Sequence, residues 1–182
     1  MKKRYISPAI EVVSLLQADI VCASGYDKME EVSLEIFVQE QEQIVLTFHT
    51  QSLPTARLVW HCPFISLYTS ENGRIDGAGY REFLLLRLDG ENWESDSHAE
   101  NVVYIDHTRD FEGWNTWKDK NKQGMDCTVI IRREKNRVMM ETNNLGISIF
   151  SATTIKDDTD RFYIALTGDQ CALTDIHITK QA

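Results

Sequence analysis

Cys127-Thr128-Val129-Ile130-Ile131-Arg132, a polar break at Glu134-Lys135-Asn136, and Arg137-Val138-Met139-Met140-Glu141 read together as a β-hairpin. β-Branched and long apolar residues fill both runs, and the polar residues between them supply the turn. Downstream, Gly146 opens ISIFSATT, and two further runs follow at Phe162 to Leu166 and Leu173 to Ile178. Upstream, Val32, Leu34, Ile36 and Val38 alternate with Ser33, Glu35 and Phe37. Gln39 to Glu42 then reads as a turn, and Ile44, Leu46 and Phe48 resume the alternation, which predicts a second hairpin. Leu58 to His61 and Phe64 to Thr69 are strand-like, with Pro63 marking a break or an edge between them. Phe83 to Leu88 is almost continuously apolar, as in a central strand buried on both faces, and Asp89-Gly90 ends it. Val102 to Ile105 is a shorter run. With roughly ten short strands, turn signals every 8–12 residues or so and no convincing amphipathic helix, the expectation is all-β, an antiparallel sandwich or barrel.

A length of 182 residues suits one domain with an appendage and is ample for a large core. The formal net charge of −9 argues against nucleic acid as a partner, because that partner requires a basic field. No window approaches the roughly 20 consecutive apolar residues that span a bilayer, so membrane insertion is not expected. Cys22, Cys62, Cys127 and Cys171 are scattered without zinc-ligand spacing and read as buried thiols, with one disulfide left open.

Residues 1–25 read as a leader-like or extended segment and residues 26–182 as the sandwich domain. The opening MKKRYISPAIEVVSLLQADIVCASG begins with basic residues and closes on Val21-Cys22-Ala23, which suits a signal peptidase. Pro8, Glu11, Gln17 and Asp19 nevertheless interrupt the apolar stretch such a signal needs. The segment resembles the YxxPxxEVxxL…SG opening of many small proteins of the Bacteroidetes. A secreted or surface location is the expectation, with the cytoplasm left open.

From about Trp60 to Ile178, the order of GYREFLLLRLDGENW, CTVIIRREKNRVMMETNN and FYIALTGDQCALTDIHI resembles concanavalin A-like jelly-roll domains associated with bacterial carbohydrate degradation. In that superfamily the terminal strand often follows a Gly-Asp-type turn, as Gly168-Asp169 does here. The resemblance implies a lectin, a carbohydrate-binding module, a laminin-G-like domain or a glycoside hydrolase. It also implies a possible calcium ion on loop oxygens. Asp175 and the group Asp27, Glu30 and Glu31 are the matching candidates, although no spacing compels a site. No other cofactor is expected.

Glycoside hydrolysis with retention needs two carboxyl groups about 5–5.5 Å apart. Jelly-roll glucanases place theirs in an ExDxxE pattern, which does not occur in this chain. Asp89, Glu91 and Glu94 form the nearest acidic group, read as a solvated loop or as a calcium or sugar-hydroxyl site. GxSxG is absent too, and Asp106-His107 are strand neighbours whose side chains diverge. His98 and His107 are the pair that a shared metal would need, although isolated histidines in a β protein are usually surface or core residues.

A binding role asks for less. Trp93, Trp114 and Trp117 crowd one polar stretch, with Asn92, Asp96, Asn101, Asn115, Lys118 and Asp119 beside them. Indole faces stack on the apolar faces of sugar rings, and the polar neighbours supply hydroxyl partners. Loops carrying Trp93, Trp114 and Trp117, with Asn92, Asn115 and Arg81, are therefore the candidate carbohydrate site. Trp114 and Trp117 would share a face only in a helical turn, and the competing reading has these indoles pinning a long loop to the core. Trp60, inside a strand run, reads as core. Arg81, Arg87, Arg132 and Arg133 line a groove or a solvated sheet face. A divergent glycoside hydrolase or lyase and a protein-interaction sandwich remain the alternatives.

Overall fold

The computed structural model describes residues 10–14, 20–22, 34–54, 56, 62–75, 77–94 and 96–181. In chain order the strands are β1 (Ile10–Ser14), β2 (Ile20–Cys22), β3 (Leu34–Val38), β4 (Gln43–Ser52), β5 (Cys62–Thr69), β6 (Arg81–Arg87), β7 (Asn92–Trp93) and β8 (Ala99–His107). Helix α1 (Trp114–Gln123) follows, then β9 (Met125–Glu134), β10 (Arg137–Asn144), β11 (Ile147–Ile155), β12 (Phe162–Asp169) and β13 (Cys171–Gln181). An eight-stranded sheet runs β1-β13-β4-β9-β10-β11-β8, with β2 also paired to β13. A five-stranded sheet runs β3-β12-β5-β6-β7. Every pairing is antiparallel, and the inner faces of the two sheets share one apolar core. The chain is an all-β sandwich.

The hairpin that opens the sequence argument is present. β9 and β10 pair Arg137 with Glu134 and Met139 with Arg132 across the Lys135-Asn136 turn, with Lys135 at φ 54°. Val129, Ile131, Val138 and Met140 point inward and are buried, while Glu134 and Arg137 stay exposed. Each such apolar side chain removed from water contributes about 1.5–3 kcal/mol, which is why the alternation fixes the inner face.

Three expectations are corrected. The first concerns β3 and β4, which form no hairpin. β3 pairs with β12 in one sheet, and β4 lies between β13 and β9 in the other. Gln39 to Glu42 is an arch between layers, held by Gln41 N–H donating to the Arg133 carbonyl at 3.0 Å. An arch and a hairpin both need one inward face per strand, so alternation does not separate them. The second correction concerns β6, which is not buried on both faces. It lies between β5 and the two-residue β7, and Leu85 is half-buried. A register shift opposite Leu67 and Tyr68 turns both Phe83 and Leu84 inward, which makes the run look continuously apolar. The third is the helix α1, where no helix was expected.

Gly168 and Asp169 end β12 instead of forming the turn, which falls on Gln170 at φ 50°. β1 and β2 both hydrogen-bond along β13. Trp60, the Leu58–His61 run, Asp27, Glu30 and Glu31 lie outside the described residues. Arg133 is buried at the sandwich edge. It donates to the carbonyls of Lys135, Val38 and Asp160, each at 2.8 Å, with its guanidinium 4.3 Å from the Phe162 ring centroid. Burial there lowers its pKa from the usual arginine value.

Candidate functional site

Arg87 closes β6, and the chain reverses through Leu88, Asp89 and Gly90 before pairing again as β7. Gly90 N–H donates to the Arg87 carbonyl at 2.9 Å, and Arg87 N–H donates to the Glu91 carbonyl at 2.8 Å. Gly90 has φ +103°, and a Cβ there would stand 3.1 Å from Ile105, so both backbone and space call for glycine. The reversal folds Asp89 back onto Arg87. Nε donates to Oδ1 at 2.8 Å, Nη2 lies 2.6 Å from Oδ2, and the same Nη2 lies 2.8 Å from Glu91 Oε2. Burial works against the Arg87 charge, but the hydrogen bonds and charges of Asp89 and then Glu91 outweigh it and raise the pKa. The Asp89 side chain is nearly buried, whereas that of Glu91 is 59% exposed.

Opposite this turn, β8 ends at His107. The next residues are pinned by Thr108 N–H donating to the Gly146 carbonyl at 2.8 Å. Gly146 sits against the Phe111 backbone, leaving no space for a Cβ. The loop delivers α1 between Gly113 and Gly124, a flexible residue at each end. Trp117 and Asn121, one turn apart, are buried, and Trp114 stands on the shoulder of the same stripe at 38% exposure. Trp114 meets Trp117, Phe111 and His107 edge-on, at centroid distances of 6.0, 5.1 and 5.5 Å. His107 stacks on Phe111 at 4.0 Å.

Turn and helix together bound an open hollow of about 440 Å³, lined by Arg87, Asp89, Gly90, Glu91, Trp114 and Lys118. It offers an aromatic face, two cationic groups and two carboxylates. A second hollow of about 380 Å³ lies on the eight-stranded sheet, among Thr128, Ile130, Glu141, Asn143, Ser148 and Phe150, and contains no tryptophan.

The expected site residues divide. Trp114 lines the hollow. Trp93 is 45% exposed on β7, 6.0 Å from Phe64, with the Arg87 guanidinium 5.9 Å from its ring. Asn92 donates its amide to the Gly90 carbonyl at 3.1 Å and so holds the turn. Asn115 is exposed on α1 beside Trp114. Trp117 is a correction: at 1% exposure it is part of the core and offers no face to a ligand. The expectation of Trp-bearing loops changes with it, since Trp114 and Trp117 are helical and Trp93 is in a strand.

Arg81 sits at the other end of β6, tied to Asp96 at 2.7 Å and to Asp157 at 2.8 Å, so it joins loops instead of lining the hollow. Arg87, Asp89, Gly90, Glu91 and Lys118 complete the lining. The sequence signal for Arg87 and Glu91 is the dense run Arg87-Leu88-Asp89-Gly90-Glu91 at a strand end, read as a solvated loop or a calcium or sugar-hydroxyl site, with Arg87 on a groove or a solvated sheet face, and Lys118 is one of the polar neighbours of the tryptophans. Asp175 is exposed at φ 50° in the irregular part of β13. Among the described residues no three His, Cys, Asp or Glu side chains gather as metal ligands. No helix of the described residues is long and apolar enough to cross a membrane.

No family model matches the chain, and no curated protein matches it. Among solved structures it is similar to the exoplasmic/lumenal domain of VIP36 in its Ca2+/Man-bound form, at 12% identity and a TM-score of 0.29, covering 91% of this chain and 82% of that one. The Ca2+/Man3GlcNAc-bound form of the same domain gives 12% identity and a TM-score of 0.27 over 92% of this chain and 82% of that one. Likeness at that level leaves the functional reading to the residues themselves.

Proposed function

We propose that this chain is a non-catalytic carbohydrate-binding jelly roll, secreted or surface-exposed, which holds a poly- or oligosaccharide at the Trp114 hollow. The observation that carries the reading is an indole exposed over a hollow whose lining is otherwise mostly charged, with Arg87 held by Asp89 and Glu91. The apolar face of one sugar ring stacks on Trp114, while its hydroxyls donate to Glu91 and accept from Lys118 and Arg87. A volume of about 440 Å³ lies within the usual range of ligand sites. Asp89 and Glu91 are both engaged by one guanidinium, an arrangement of hydroxyl acceptors, not an acid and nucleophile facing each other across a cleft.

Affinity electrophoresis through gels that each contain one polysaccharide, backed by a glycan array, tests the reading. Wild type is retarded by at least one glycan. Trp114→Ala removes about 1.5–3 kcal/mol of aromatic contact, a rise in Kd of roughly ten- to a hundredfold. Retention by no glycan, or equal retention of Trp114→Ala, contradicts it.

A further inference from the structure

Among the described residues, three of the six exposed large hydrophobic side chains, Val102 (40%), Tyr104 (66%) and Ile105 (46%), lie on one strand, β8. β8 is the last strand of the eight-stranded sheet and pairs only with β11 among the described residues. Its main-chain polarity can be read from the two ends of that ladder. Thr108 N–H donates to the Gly146 carbonyl and Lys156 N–H to the His98 carbonyl, both at 2.8 Å and both in the β8–β11 register. Even-numbered residues therefore direct N–H and C=O toward β11, and Asn101, Val103 and Ile105 direct theirs to the open edge. At the two ends of that edge, Ala99 N–H donates to the Asp96 carbonyl at 3.1 Å and His107 N–H to Asp106 Oδ1 at 2.8 Å. Natural edge strands are protected by charged side chains, lysine above all, by proline, a bulge or shortness, and the charges of β8 are Glu100 near one end and Asp106 near the other. Ala99–His107 is nine residues long, pairs with β11 without a register shift, and contains no proline, glycine or lysine.

We propose that β8 pairs antiparallel with β8 of a second copy of this chain, joining two eight-stranded sheets into one. Keeping the inner faces continuous allows only registers that pair odd with odd and even with even residues. Centring on Val103 sets Glu100 against Asp106 twice, a like-charge opposition that destabilises a pair. Centring on Tyr104 sets Val102 against the Asp106 carboxylate. Centring on Val102 avoids both conflicts. Asn101 and Val103 then exchange main-chain hydrogen bonds, and the Ala99 carbonyl accepts from Ile105 N–H, the Ala99 N–H being held by the Asp96 carbonyl. Glu100 faces Tyr104, and His98, whose side chain is 58% exposed, faces Asp106. Freedom from like-charge opposition and the polar pairing of His98 with Asp106, made twice, thus select a second copy in one register, with Val102 opposite its own symmetry mate.

The inference is independent of the carbohydrate reading. Sedimentation equilibrium of the full chain at rising concentration tests it, with Val102→Lys and Val102→Glu as variants. Val102 is exposed, so neither substitution disturbs the core, and far-UV circular dichroism checks that both variants remain folded. Wild type dimerises, and so does Trp114→Ala. Each Val102 variant alone is monomeric, with its dimer Kd raised at least tenfold, and an equimolar mixture of the two regains the dimer. A wild type that stays monomeric overturns the proposal. So does a Val102→Lys protein that still dimerises, or a mixture that fails to reassociate.

Discussion

Trp114 and Trp117 stand three residues apart on one helix and have opposite exposures, 38% and 1%. Their different positions on the stripe separate two roles that composition alone merges. Trp117→Ala leaves a cavity beneath α1 and costs about 3–5 kcal/mol of stability, measured by urea unfolding. Trp114→Ala loses the edge contacts with Trp117, Phe111 and His107 and costs less, about 1–2 kcal/mol, and it acts on ligand retention as well. Three tryptophans in a polar stretch were legible as a flag. Which indole faces solvent was not, because that depends on the rotation of a helix whose only apolar residues are those two. The signals for the helix were modest: a glycine before it, a glycine after it, and indoles at i and i+3. Arg87 and Glu91 were legible as charges at a strand end, but their convergence on Asp89 required the Gly90 reversal.

At the scale of elements, alternation located β4, β5 and β9 through β13 well, since inward and outward residues are a local property of each strand, whereas β8 was legible only in its middle, Val102 to Ile105. It could not assign β3 and β4 to different sheets, because partner choice is made by residues far apart in sequence. Arg81 shows the same limit. Its partners Asp96 and Asp157 reach it from the segment before β8 and the segment after β11. The Arg81 hydrogen bond holds the Asp96 carboxyl down at about 2, against the opposing effect of desolvation. Asp157 is lowered as well, by Thr159 first and then by Arg81. A carboxyl with a depressed folded pKa contributes stability that is complete above its unfolded value, about 3.9. That contribution is lost as pH falls through the folded value. Unfolding free energy from urea titrations therefore declines between about pH 4 and pH 2. Asp96→Asn lowers stability by about 1.5–3 kcal/mol at neutral pH and flattens that decline. An unchanged slope in Asp96→Asn assigns the acid sensitivity to other groups.

For the whole molecule, two sheets closing over one core leave the outer surfaces and the rim for function. The rim places the β6–β7 turn opposite α1 and so makes the hollow. The open strand β8, at one edge of the eight-stranded sheet, borders the same turn and helix through Ile105 and His107. The central claim is that a glycan stacks on Trp114, and the indole Nε1–H resonances of 15N-labelled protein test it most directly. Titration with the glycan retained in affinity gels is expected to shift the Trp114 resonance progressively and leave that of buried Trp117 nearly unmoved, with each signal assigned by Trp→Phe substitution. A saturating shift at Trp117 without one at Trp114, or no indole shift at all during measured binding, would contradict it.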